Sequence, residues 1–138
     1  MIPLFKSSGT IRYGQTNLIL DVDQEIVRYY RMLLPKSITI NSQMYDAHIS
    51  VVRKETPPKM EFWGKYAGEL VEFEYSHVIR NGEVYYWVDV FSKRLEEIRE
   101  ELGLIVHSPY IVPPEGYNHT FHITLGNLKQ LVQQTKLC

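Results

Sequence analysis

Apolar and polar positions alternate most cleanly over Tyr45 to Val52, where Ala47, Ile49 and Val51 fall on one face and His48 and Ser50 on the other. A period of two is that of a half-buried strand. The pattern returns over Thr120 to Leu125, with Phe121, Ile123 and Leu125 alternating with His122 and Thr124. Within 65–75, Leu70, Glu72 and Glu74 alternate with Val71, Phe73 and Tyr75, and Leu18-Ile19-Leu20 reads as a short buried strand. Asn81-Gly82 separates His77–Arg80 from Val84–Val88 and predicts a hairpin with both central turn residues at positive φ. On its second arm Tyr85, Trp87 and Asp89 share one face, and Tyr86, Val88 and Val90 the other.

The period changes to that of a helix in two places. After the capping chemistry of Asp21 to Asp23, Ile26, Tyr29, Tyr30 and Leu33 form an inner face that ends before Pro35. Ser92 caps a second helix with Leu95, Ile98 and Leu102 inward, Glu96, Glu97, Arg99 and Glu100 outward, and Gly103 as the stop. Residues 107–118, rich in proline, predict an irregular, lid-like loop. A short C-terminal helix with Leu128, Leu131 and Val132 inward follows the last strand.

At 138 residues the chain predicts a single α+β domain, 1–138. Its 44% hydrophobic and 22% charged residues are those of a globular protein, which sets aside disorder. A net charge of −1 provides no basic field for a long nucleic-acid duplex and favours a small anion met by local cations. The only cysteine, Cys138, excludes an internal disulfide and fits a reducing, cytoplasmic setting. No export leader and no apolar run near the roughly 20 residues of a membrane helix is expected. Oligomeric state is left open.

The two histidine strands carry the chemistry. Ala47-His48-Ile49-Ser50-Val51 and Phe121-His122-Ile123-Thr124-Leu125 each bury three apolar residues and present an imidazole beside a hydroxyl. Histidine titrates near pH 6.5, so a pair supplies a base for a ribose 2′-hydroxyl and an acid for a leaving 5′-oxygen without metal. Ser50 and Thr124 are suited to steady the non-bridging phosphate oxygens. A zinc site would need His48 and His122 with His119, His107 or Asp46, and these show no recognised ligand spacing. Exposed aromatics are candidate platforms for bases, with Tyr13 and Trp87 the leading choices for substrate binding. Arg12 and Lys65 are secondary candidates as phosphate cations.

The paired His-x-Ser and His-x-Thr motifs resemble those of the 2H phosphoesterase superfamily. Within it, Ser8-Gly9-Thr10-Ile11-Arg12-Tyr13, Leu20-Asp21-Val22-Asp23, Trp63-Gly64-Lys65-Tyr66, Tyr85-Tyr86-Trp87 and Phe121-His122-Ile123-Thr124 are similar to the phage anti-CBASS protein 1 family. The resemblance implies a two-lobed fold of mostly antiparallel strands, with helices packed outside and a central cleft. It implies His48, Ser50, His122 and Thr124 as catalytic residues, no cofactor, and a cyclic oligonucleotide substrate cleaved at 3′-5′ bonds in an infected bacterial cell. The alternatives are a 2H enzyme acting on RNA ends or 2′,3′-cyclic phosphates, or a nucleotide-binding sponge without catalysis.

Overall fold

A computed structural model describes residues 3–35, 46–107 and 112–128. The elements are β1 (Leu4–Tyr13), β2 (Leu18–Asp21), α1 (Gln24–Met32), β3 (His48–Val52), a 3₁₀ turn at Met60–Phe62, β4 (Leu70–Asn81), β5 (Tyr85–Phe91), α2 (Lys93–Glu101) and β6 (Phe121–Asn127). Six antiparallel strands close into one barrel in the order β1-β2-β3-β6-β5-β4. The α+β class and the antiparallel strands are as expected. The strands make a continuous ring, not two separately hydrogen-bonded sheets.

The ring is built from two like halves. Each is a hairpin, a helix and a strand: β1-β2-α1-β3, then β4-β5-α2-β6. Gly14 N–H donates to Asn17 O at the first hairpin and Gly82 N–H to Tyr85 O at the second, both at 3.0 Å. Asp23 caps α1 by accepting from Glu25 N, and Ser92 caps α2 by accepting from Leu95 N. The helices then cross over, α1 packing on β6 and α2 on β3 and β4. Ile26 and Tyr30 from α1, Leu95 and Ile98 from α2 and its C-cap Leu102 join Ile49, Val51, Ile123 and Leu125 in one core.

Both histidine strands also bulge at the same place. Ile19 pairs with Ser50 and Leu18 with Val52, so Val51 is an extra residue in β3. Trp87 pairs with Thr124 and Tyr86 with Gly126, so Leu125 is its counterpart in β6. A bulge disrupts the ladder, and each extra carbonyl is met by an arginine from the helix of the other half. Arg99 Nη1 donates to Val51 O at 2.7 Å and Arg31 Nη1 to Leu125 O at 3.0 Å.

Several expectations are corrected. β1 was not foreseen, because Lys6-Ser7-Ser8-Gly9-Thr10 lacks an apolar alternation; it is a strand held by its pairing with β4. Residues 65–75 and 77–80 contribute to one strand, β4, with an irregularity between Tyr75 and Ile79. Asn81 stays in the ladder opposite Tyr86, and neither Asn81 nor Gly82 has positive φ, so the hairpin tip falls at Glu83-Val84. Tyr29 and Leu33 are exposed, because α1 covers β6 with a stripe narrower than its apolar sequence. Glu96 and Arg99 are buried, at 4% and 5% exposure, by hydrogen bonds that the periodicity does not encode. The expected C-terminal helix past Leu128, Tyr45 and part of the proline-rich segment lie outside the described residues.

Candidate active site

β3 and β6 meet with Ile49 opposite Ile123. Continuing that antiparallel register one residue each way sets His48 across from Thr124 and Ser50 across from His122. Residues directly opposite one another share a face. The motifs are therefore interleaved crosswise, each imidazole beside the hydroxyl of the other strand. Their face is the one turned away from Ile49, Val51, Ile123 and Leu125 and hence from the helices.

The pairing continues outward into two rows related by the twofold likeness of the halves. Asp21 lies opposite His48, and Asp89 opposite His122. Ile19 flanks Ser50, and Trp87 flanks Thr124. Arg12 is next to Ile19, and Arg80 next to Trp87. Each arginine reaches the aspartate of its own half: Arg12 Nε to Asp21 Oδ2 at 2.7 Å, and Arg80 Nε to Asp89 Oδ2 at 2.6 Å. The guanidinium of Arg12 is raised above its ordinary pKa by this hydrogen bond and by the charge of Asp21.

The rows differ in two ways that distinguish the histidines. Asp21 is partly exposed, whereas Asp89 is 4% exposed and also accepts from Trp87 Nε1 at 3.1 Å. Trp87 occupies the place that Ile19 has in the other row, its ring tilted against His122 with centroids 6.3 Å apart. His48 Nδ1 lies 2.8 Å from Asp46 O. A carbonyl only accepts, so Nδ1 holds the proton and the neutral ring keeps its lone pair on Nε2. His122 retains accessible surface but is crowded by protein, and burial moves its pKa below the ordinary value. The carboxylate of Asp89 opposes that shift, while Arg53 and His48 add to it.

All four proposed catalytic residues and Trp87 thus share one face. Tyr13 does not join them. Its hydroxyl accepts from Tyr66 N at 3.3 Å and its ring meets Trp63 edge-on at 5.0 Å, on the core side of β1. Strand parity explains this, because Arg12 takes the histidine face and Ile11 and Tyr13 the other. Lys65 is drawn to Glu101 Oε1 at 3.3 Å and sits over Phe62 and Tyr66. His119 packs on Phe121, with Arg99 and Glu96 among its charged neighbours, and burial lowers its pKa. Among the described residues no cluster of three His, Cys, Asp or Glu is arranged to hold a metal ion, and no helix is long and apolar enough to cross a membrane.

Asp21, Asp89 and Arg80 were not anticipated at the site. A signal for them exists in the sequence. Ile11-Arg12-Tyr13-Gly14 recurs as Ile79-Arg80-Asn81-Gly82, and Leu20-Asp21-Val22 recurs at the same spacing as Val88-Asp89-Val90. Each half therefore repeats Arg, Asp, His and hydroxyl in order. Neither protein-family models, curated proteins nor solved structures give a match to the chain.

Proposed function

We propose that the chain is a metal-independent phosphodiesterase of the 2H type that opens cyclic di- and trinucleotide signals at their 3′-5′ bonds, an evasion of signalling-based defence in an infected bacterium. In this reading the two halves act as lobes around a shared cleft. The observation that carries it is Ile49 opposite Ile123, a register that, continued one residue each way, sets His48 across from Thr124 and Ser50 across from His122. Two imidazoles and two hydroxyls then surround a single phosphate.

His48, with its Nε2 lone pair available, removes the proton of a ribose 2′-hydroxyl. The 2′-oxygen attacks the adjacent phosphorus and the bond to the 5′-oxygen breaks. His122 in its protonated form delivers the proton that this oxygen takes up. Asp89 and the anionic substrate both favour that imidazolium. Ser50 and Thr124 donate to the non-bridging oxygens. The ring becomes a linear chain ending in a 2′,3′-cyclic phosphate, which water opens to a 3′-phosphate with the histidine roles reversed.

The test is incubation with 3′,3′ cyclic dinucleotides, 2′,3′-cyclic nucleotides and a short RNA in the presence of chelator, followed by product identification. Linear products ending in 3′-phosphate are expected, with turnover abolished in His48→Ala and His122→Ala. Cleavage of a 2′-deoxy analogue, or wild-type rates in either histidine variant, sinks the mechanism. Tight binding without cleavage points to a sponge, preference for the RNA to an RNA-end enzyme, and activity lost on chelation to a metal.

A further inference from the structure

The bulge at Val51 changes what the chain presents after Ser50. In an unbroken strand Val52 would share the face of His48 and Ser50, and Arg53 would turn to the core. With Val51 as the extra residue, Val51 and Val52 are both buried and Arg53 emerges exposed on the histidine face. Its backbone is fixed there by a bracket. Arg99 donates to Val51 O at 2.7 Å and to both oxygens of Glu55 at 2.9 Å, and the Glu55 carboxylate also accepts from the Arg53 backbone. Glu55, the nearest carboxylate in sequence, is therefore committed to Arg99.

The cations of the two rows are not equivalent. Arg12 and Arg80 are neutralised by Asp21 and Asp89. Arg53 makes no ion pair among the described residues. It is close enough to His122 to disfavour its charged form. The corresponding place after the β6 bulge is taken by Asn127, which carries no charge. A guanidinium with no ion pair among the described residues, acting on the His122 imidazole, raises the local positive charge, and an anion bound there relieves it.

We propose that Arg53 is the anion-binding residue of this site, holding a phosphate oxygen beside His122 and Ser50, with the Arg99–Glu55 bracket as its positioning device. This rests on the phosphodiester reading for the substrate but not for the binding of phosphate itself. The planar fork of Arg suits two phosphate oxygens at once, so the site favours a phosphodiester or phosphate over a single-point anion such as chloride.

Inorganic phosphate is titrated into the protein at constant ionic strength while the ring proton resonances of His48 and His122 are followed by NMR. Both resonances are expected to move saturably. Arg53→Gln should weaken phosphate binding about tenfold or more, and Arg53→Lys by less, since it keeps the charge but not the fork. Arg28→Gln, in the exposed Arg28–Glu25 pair on α1, should bind as wild type does. Unmoved histidine resonances, wild-type affinity in Arg53→Gln, or an equal loss in Arg28→Gln would overturn the proposal. Cyclic dinucleotide turnover separates the two claims. Phosphate affinity lost in Arg53→Gln, in a protein that cleaves no phosphodiester, supports the anion site and sinks the hydrolase reading. Intact turnover with unchanged KM and phosphate affinity sinks the anion site alone.

Discussion

Asp89 and His122 lie directly opposite one another on β5 and β6, and the carboxylate is buried between Trp87 Nε1 and Arg80 Nε. Burial drives the imidazole toward its neutral form, and Asp89 counters it. In Asp89→Asn the countering charge is gone, so the pKa of His122 should fall further. NMR titration of its ring protons checks this. If His122 is the acid in turnover, activity is lost as it deprotonates, so the alkaline limb of the pH–rate profile shifts the same way.

Stability should fall in two separate pH windows. His119 and His122 have folded pKa values below the ordinary 6.5, so above 6.5 both are neutral in either state. As pH drops below 6.5 the unfolded chain takes up protons that the fold refuses, and stability falls until the folded values are passed. Glu55, Glu69 and Glu101 are lowered from 4.5, chiefly by hydrogen bonds from Arg99, Arg94 and Tyr66, and their contribution is lost as pH falls below 4.5 and through those lower values. Thermal unfolding from pH 7 down to about pH 3 should show both phases. His119→Gln should flatten the upper one.

Removing the guanidinium that caps the β3 bulge takes the side-chain donor from the Val51 carbonyl and leaves Glu55 with only the Arg53 backbone. Arg99→Met, which retains most of the apolar stem, should cost about 2–3 kcal/mol in urea denaturation. Arg31→Met, at the matching β6 bulge, should cost about 1 kcal/mol or more, because the hydrogen bond to Leu125 O is lost from a half-buried site.

A side chain at Gly9 has nowhere to go. Its Cβ would lie 2.2 Å from Asp21 O, backbone of the strand that pairs with the His48 strand. Gly9→Ala should destabilise by about 1–3 kcal/mol. It should also shift the His48 resonance, which a substitution felt only locally on β1 would leave unmoved.

Trp87 separates ring from N–H. If a base stacks on it, Trp87→Ala should raise KM about tenfold. Trp87→Phe should keep much of that stacking while losing the hydrogen bond to Asp89, so its effect should fall on the titration of His122.

Local pattern alone fixed the two histidine strands, because a period of two with three apolar residues in each forces imidazole and hydroxyl onto one face. It also fixed the caps at Asp23 and Ser92 and the facing of Trp87 and Asp89, for which neighbours in the chain suffice. Other features depend on partners far away in sequence. β1 is a strand only because β4 pairs with it, Glu96 and Arg99 are buried by hydrogen bonds to distant loops and a bulge, and Tyr13 is drawn to Trp63 and Tyr66. The crosswise pairing of His48 with Thr124 and Ser50 with His122 belongs to this second kind. Each strand determines which side chains it presents, but only the register between β3 and β6, set by packing of the barrel and its crossed helices, decides what they face.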